Sequence, residues 1–300
     1  MNAIQRIWQK LAPNFLLTTV RLILKPERYK HHRKKVLAHF KNIDPKLLPP
    51  EINEGIKYLK WHKFSHFPYK WTKKYDNLLP EVFHDEAYKC FYTFCEGKRM
   101  FFPKHFTQNH VIWAVRTILK EQDINSPHLY LDNNFQIGPG SIVVDAGVAE
   151  GNFALSVVEK AKKVYIIECD KDWMEALRLT FSPWIEKVVF VEKFISDING
   201  DTTTSIDMLI SPQPGENYFI KLDIEGFEQK ALRGMKKLMA SGNPVKMVVC
   251  TYHHPNDLKE IGEILNSYGF TWKASEGYVL YFQEDEEPSF RKALIRAEKK

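Results

Sequence analysis

The residues able to do chemistry in this 300-residue chain cluster where apolar runs end in turns. The segment Val143-Val144-Asp145-Ala146-Gly147-Val148-Ala149-Glu150-Gly151 passes from a strand-like run through two glycines, and Asn152 then opens a helical pattern. Glycines at such a turn permit positive φ and a close approach of ligand to backbone. A dinucleotide site would need G-x-G-x-x-G, so that a pyrophosphate can rest on the helix N-terminus. Here one of those glycines is missing, and Asp145 and Glu150 would repel a pyrophosphate.

Two carboxylates suit a ligand that carries an ammonium and a sulfonium, as S-adenosylmethionine does. The next apolar run ends Ile166-Ile167-Glu168-Cys169-Asp170, where an acid can accept hydrogen bonds from both ribose hydroxyls. Ser196-Asp197 follows the third run, where Asp197 could hold an adenine amino group. The cofactor set expected from the residues is therefore Asp145, Gly147, Glu150, Gly151, Asn152, Glu168, Asp170, Ser196 and Asp197. Plainer roles stay open: Asp145 can cap its turn, and Glu168 can pair with a surface lysine.

Methyl transfer from a sulfonium is an in-line displacement, so the protein must position an acceptor oxygen and remove its proton. Asp223 and Glu225, at the end of the fourth apolar run, and His253, at the end of the fifth, can converge there. His253 is the expected base, with Asp223 orienting it or the substrate. The same three residues, Asp223, Glu225 and His253, could instead hold a divalent metal. Carboxylates that only cap a helix start are the plainer alternative, and His254 reads as a surface residue.

These residues need a frame. Strand-like runs at 141–145, 164–168, 188–191, 218–223 and 245–251 alternate with helical patterns at 152–163, 171–181, 228–240 and 256–267. That alternation predicts an α/β, doubly wound, mostly parallel sheet. Residues 279–282 look like a late strand at an antiparallel edge, and 291–300 like a charged helix or frayed tail. Residues 1–105, broken by Pro13, Pro26, Pro45, Pro49, Pro50, Pro68 and Pro80, read as a mainly helical extension ahead of a domain over 106–300.

Hydrophobic residues at 44% and charged residues at 27% exclude a disordered chain. The net charge of +6 hides an asymmetry: residues 1–75 hold 17 Lys or Arg against 4 Asp or Glu, a balance of +13, and the remainder balances at −7. A basic arm of this kind meets an anionic partner or is a solvated face. Ile4, Ile7, Trp8 and Leu11 recur at helical spacing, as in an interfacial helix or one packed on its own domain. The run Phe15–Leu24 is far short of the roughly 20 residues that cross a bilayer. Between 57 and 75, six lysines interleave with Tyr58, Trp61, Phe64, Phe67, Tyr69, Trp71 and Tyr75, a pattern that either stacks bases or packs rings under lysine stems. The opening residues do not read as a signal peptide, and Cys90, Cys95, Cys169 and Cys250 lack zinc-type spacing. Reduced thiols in the cytoplasm are expected.

The segments 144–153, 165–170 and 195–197, and above all Ile220-Lys221-Leu222-Asp223-Ile224-Glu225-Gly226-Phe227-Glu228, resemble the FkbM-type methyltransferase family over roughly residues 136–285. The resemblance implies the class I methyltransferase (Rossmann-like) fold and S-adenosylmethionine as cofactor. It implies that Asp145, Gly147 and Gly151 contact the methionine moiety, that Glu168 binds the ribose and that Ser196-Asp197 lies near the adenine. It further implies O-methylation of a hydroxyl, often on a sugar or secondary metabolite. The chain departs from the pattern at Glu150, where many relatives carry Asn. The acceptor expected is a carbohydrate or glycoconjugate, with the basic arm near anionic lipid at the inner membrane face. A nucleic-acid acceptor is disfavoured because no N-P-P-Y motif follows the fourth run. A copy of the fold without turnover is the rival from another class, and retention of Asp145, Glu168, Asp223 and Glu225 together weighs against it.

Overall fold

The computed structural model describes residues 26–282 and 286–300. The expected helix bearing Ile4, Ile7, Trp8 and Leu11, and the run Phe15–Leu24, lie outside the described residues. The chain divides into two compact units, one of residues 1–73 with 280–290 and one of residues 74–279 with 291–300. This boundary differs from the expected break at 105/106, because residues 83–101 are not helical. They form an antiparallel sheet of Phe83–Asp85, Cys90–Cys95 and Lys98–Phe101. Glu96 and Gly97, both at positive φ, make its tight turn.

The larger unit is built on seven strands: β1 Ile142–Ala146, β2 Lys163–Ile167, β3 Val188–Val191, β4 Tyr218–Leu222, β5 Val245–Cys250, β6 Thr271–Ala274 and β7 Leu294–Lys299. Their spatial order is β6-β7-β5-β4-β1-β2-β3. The ladders joining β1 to β2 and β4, β2 to β3, and β4 to β5 are parallel. Only β7 runs against its neighbours, β5 and β6. The strands read as near-continuous apolar runs because both faces are covered. Val143, Val164, Phe219 and Val248 pack on one side with Val111, Phe153 and Leu177. Ile142, Val144, Ile220, Met247 and Val249 pack on the other with Leu232, Leu238 and Ile261.

Two expectations near the C-terminus are corrected. The segment expected to be a charged helix or frayed tail is the antiparallel strand β7, whose Leu294, Ile295 and Ala297 are buried. Its charge is no obstacle, since Arg296 reaches Asp132 at 3.0 Å and donates to the Tyr130 carbonyl at 3.1 Å. Val279–Tyr281 is not an edge of the main sheet but pairs with Ser289–Arg291 in a separate two-stranded ribbon.

In the smaller unit, helices Pro26–His39 and Pro50–Trp61 contribute Val36 and Leu59 to a core with Phe64, Leu280 and Phe282. Tyr58, Phe64, Phe67 and Tyr69 are buried, whereas Lys57, Lys60, Lys63, Lys70 and Lys73 are exposed. This is the packing alternative for the lysine-aromatic stretch. Trp61 alone stands fully outside, at 85% exposure. No helix among the described residues is long and apolar enough to cross a membrane.

Candidate active site

In a sheet of this kind the strand order reverses between β1 and β4, and ligands bind beyond the carboxyl ends there. Asp145 closes β1 opposite Lys221 of β4, and period-two alternation puts both side chains on one face. Asp145 is 1% exposed. Its Oδ1 lies 2.9 Å from Lys221 Nζ, and its Oδ2 accepts the Ala154 amide at 3.2 Å. Lys221 also donates to the Gly147 carbonyl at 2.9 Å. Asp145 therefore ties β1, the turn and the next helix together, and its carboxylate is turned inward rather than offered to a ligand.

Gly147 has φ +73°, and a Cβ there would lie 1.8 Å from the Asp223 carbonyl oxygen. Gly151 has φ +84°, and a Cβ there would meet Leu177 at 2.7 Å. Both glycines are demanded first by packing of the chain on itself. Between them, Ala149 donates its amide to Glu168 Oε2 at 3.0 Å, and Glu168 Oε1 accepts the Cys169 and Asp170 amides at 2.8 and 2.9 Å. Glu168 thus fastens the turn after β1 to the end of β2. Burial pushes its carboxyl up, against these three amides. Burial also pushes Glu150 up to about 7, with Glu168 adding to the rise. Asn152, half-buried, opens the helix Asn152–Val157.

Asp170 caps the helix Lys171–Thr180, taking the Asp172 and Trp173 amides at 2.9 and 3.1 Å. The Ser196 hydroxyl donates to Asp197 at 3.1 Å, and Arg233 lies 3.4 Å from the same carboxylate. Burial pulls Asp197 upward, but its own amide, Ser196 and Arg233 outweigh that and hold it below the usual range.

Asp223, just past β4, is the hub of the acceptor side. Its Oδ2 accepts the Tyr130 hydroxyl at 2.7 Å and stands 3.5 Å from His128 Nε2. Its Oδ1 lies 3.5 Å from the Tyr252 hydroxyl and 3.9 Å from His253 Nε2. Burial raises the Asp223 pKa, but the His128 ring, the Lys221 ammonium, His253 and the Tyr130 hydroxyl prevail and bring it to about 2. Glu225, at φ +56°, reaches within 3.6 Å of His253 Nε2 with its side chain 49% exposed. Partial burial pushes Glu225 up, with His253 opposing and Asp223 adding. Glu121, at the end of the helix Gln108–Glu121, is driven well up by burial and by Glu150, Asp223 and Glu225.

The structure brings together the three residues expected to converge, Asp223, Glu225 and His253. His253 is 3% exposed and its Nδ1 lies 2.9 Å from Glu228 Oε1. Burial opposes its charging, yet Glu228 and Glu225 push its pKa up to about 10. A ring held charged in this way would orient Asp223 and Glu225 rather than accept a proton. The compact donor set here joins Asp223 and His253 with Glu228 in place of the expected Glu225. His254 is exposed, with Nε2 3.2 Å from the Gly226 carbonyl.

Sequence reasoning missed His128, Tyr130, Lys221, Glu228, Cys250 and Tyr252. A lysine inside an apolar strand and the glutamate of the G-F-E stretch, in the first turn of the helix Glu228–Arg233, were visible signals for Lys221 and Glu228. Nothing local marks His128 or Tyr130, which lie between the helix Gln108–Glu121 and β1. A separate cleft of about 420 Å³, lined by Lys162, Lys163, Lys187 and Glu216 among others, sits at the opposite, amino end of the strands. Its Lys162 is paired with Glu216 and its Lys187 with the Glu159 and Ala161 carbonyls.

A seven-stranded order of this kind with one reversed strand defines the class I methyltransferase fold, a doubly wound, mostly parallel α/β sheet. No family model matches the sequence, and no curated protein matches it as a relative. Among solved structures, the methyltransferase FkbM of Methylobacillus flagellatus matches 63% of this chain and 54% of its own, at 18% identity and a TM-score of 0.44. Precorrin-6y C5,15-methyltransferase of Geobacter metallireducens matches 54% of this chain and 80% of its own, at 11% identity and a TM-score of 0.37. An S-adenosylmethionine-dependent O-methyltransferase of Thermotoga maritima matches 54% and 60%, at 18% identity and a TM-score of 0.32. The chain thus spans about half the length of the first of these.

Proposed function

We propose that this chain is an S-adenosylmethionine-dependent O-methyltransferase of FkbM type that methylates a hydroxyl of a sugar, glycan or glycoconjugate. The observation that supports it most is the meeting of Asp223, Glu225 and His253 beside the turn after β1. The cofactor fits the residues present. Glu121 feels the carboxylates of Glu150, Asp223 and Glu225, which raise it together with burial, and a cationic ligand placed among these acids would relieve that repulsion. Glu168 already takes three amides and keeps acceptor capacity for ribose hydroxyls. Ser196 and Asp197, past β3, would take an adenine amino group.

S-adenosylmethionine would supply an electrophilic methyl group on sulfur. The protein's part is to orient the acceptor and to take its proton. Asp223, ionised and fixed by Tyr130, accepts the acceptor's hydrogen bond. Glu225, raised and half-exposed, receives the proton, and the His253 imidazolium orients it. The basic N-terminal region holds the enzyme at anionic membrane surfaces near such acceptors.

Calorimetric titration with S-adenosylmethionine and with NAD, repeated on Glu168→Ala, tests the reading. Micromolar binding of the methyl donor alone, weakened in the variant, is expected. No donor binding would move the assignment to a fold retained without turnover.

A further inference from the structure

A second set of donors on the same sheet edge shares Asp223. From its geometry we infer that His128, Asp223 and Cys250 form a three-donor site for a zinc-class divalent cation. The three donor atoms lie within 4.8 Å of one another. His128 Nε2 is 3.5 Å from Asp223 Oδ2 and 3.6 Å from Cys250 Sγ. An N–H···O hydrogen bond runs about 2.7 to 3.2 Å, so the first separation is too long for a good one. Zinc bonds of about 2.0 to 2.3 Å at tetrahedral angles place nitrogen and oxygen donors about 3.4 Å apart, and nitrogen and sulfur about 3.6 Å apart. The observed separations match those edges.

The donors are also held as a metal site requires. Asp223 and Cys250 end adjacent parallel strands, β4 and β5. The His128 ring is wedged between Tyr130 and Tyr252, with centroids at 5.0 and 5.5 Å. His128 and Cys250 are buried at 3% and 1% exposure. Tyr130 supports the Asp223 carboxylate from outside the donor set with its hydroxyl at 2.7 Å, as outer partners of metal ligands do. A mixed nitrogen, oxygen and sulfur set selects zinc over magnesium or calcium.

A neighbouring set, Asp223, Glu228 and His253, is equally compact. There His253 Nδ1 stands at hydrogen-bond length, 2.9 Å, from Glu228, shorter than the separation of two donors on one zinc. On metal binding the Cys250 thiol proton leaves to water, and nothing is oxidised or reduced. Three protein donors leave a fourth position open, the pattern of catalytic zinc. That position would acidify a bound hydroxyl, and only this last consequence rests on the methyltransferase reading.

The test uses the full-length protein stripped with chelator and titrated with cobalt(II) alone, then with zinc by calorimetry. One equivalent of cobalt with tetrahedral visible bands and a near-ultraviolet thiolate band is expected, displaced by zinc. Cys250→Ser should abolish the thiolate band, and Cys90→Ser should leave it. His128→Ala should weaken zinc by more than about 100-fold, since losing even an outer partner costs 10- to 100-fold. A wild-type protein without the band, or a band that survives Cys250→Ser, overturns the inference whether or not the variants fold. S-adenosylmethionine titration of the same samples separates the two proposals. Donor binding without a cobalt band sinks the metal site alone, and a cobalt band without donor binding sinks only the methyl-transfer reading.

Discussion

Raising the pH should destabilise this protein through His253. The ring is buried, with Glu228 at 2.9 Å and Glu225 at 3.6 Å, and its pKa rises from 6.5 to about 10. A group whose folded pKa lies above its unfolded one adds stability that is complete below the unfolded value. That stability is lost as pH climbs through the folded value. The window is therefore pH 6.5 to about 10. At 1.36 kcal/mol per unit, the stability at stake is on the order of 5 kcal/mol, comparable to the roughly 3 to 5 kcal/mol for breaking a buried pair. Urea unfolding of wild type and His253→Gln at pH 6, 8 and 10 isolates the contribution, because other titrating groups are common to both. The gap between the two should be widest at pH 6 and should nearly close by pH 10. Glu228→Gln should move the closing to lower pH. A gap that stays constant from pH 6 to pH 10 would refute the charged-imidazole assignment.

Lys221→Met should cost roughly 3 to 5 kcal/mol, because it strands the buried Asp145 carboxylate. Adding Asp145→Asn should recover part of that loss in thermal unfolding, and strictly additive losses would argue against the pair. Gly147→Ala should cost at least about 3 kcal/mol, combining left-handed strain with displacement of the Asp223 carbonyl. Gly97→Ala has a similar φ but nothing within 4 Å, and should cost only about 1 to 2 kcal/mol. Equal losses at the two glycines would disprove the close-contact argument. Flotation with anionic liposomes should lose binding when residues 1–40 are removed, and equal binding of both forms would end the membrane proposal.

The sheet was legible because its signals are local. Strands buried on both faces must be continuously apolar, and the turn after β1 must carry glycine where a side chain would strike β4. The strand-end acids Asp145, Glu168 and Asp223 could be located for the same reason. Their orientations could not be read. Asp145 turns inward only because Lys221, 76 positions later, faces it across a parallel ladder. Strand β7 was hidden because Arg296 looks like surface charge until Asp132 and the Tyr130 carbonyl reach it. The strand Cys90–Cys95 was hidden by its aromatic residues, whose burial does not alternate. The site divides along the same line. Sequence alone placed Asp223, Glu225 and His253 at one edge, because strand ends in a parallel sheet share an edge. Only the tertiary structure brought His128 and Tyr130 to Asp223, across a sequence gap of more than ninety residues. It also put Glu228 and Glu225 beside His253, and which carboxylates burial leaves as neighbours decides which way a pKa moves.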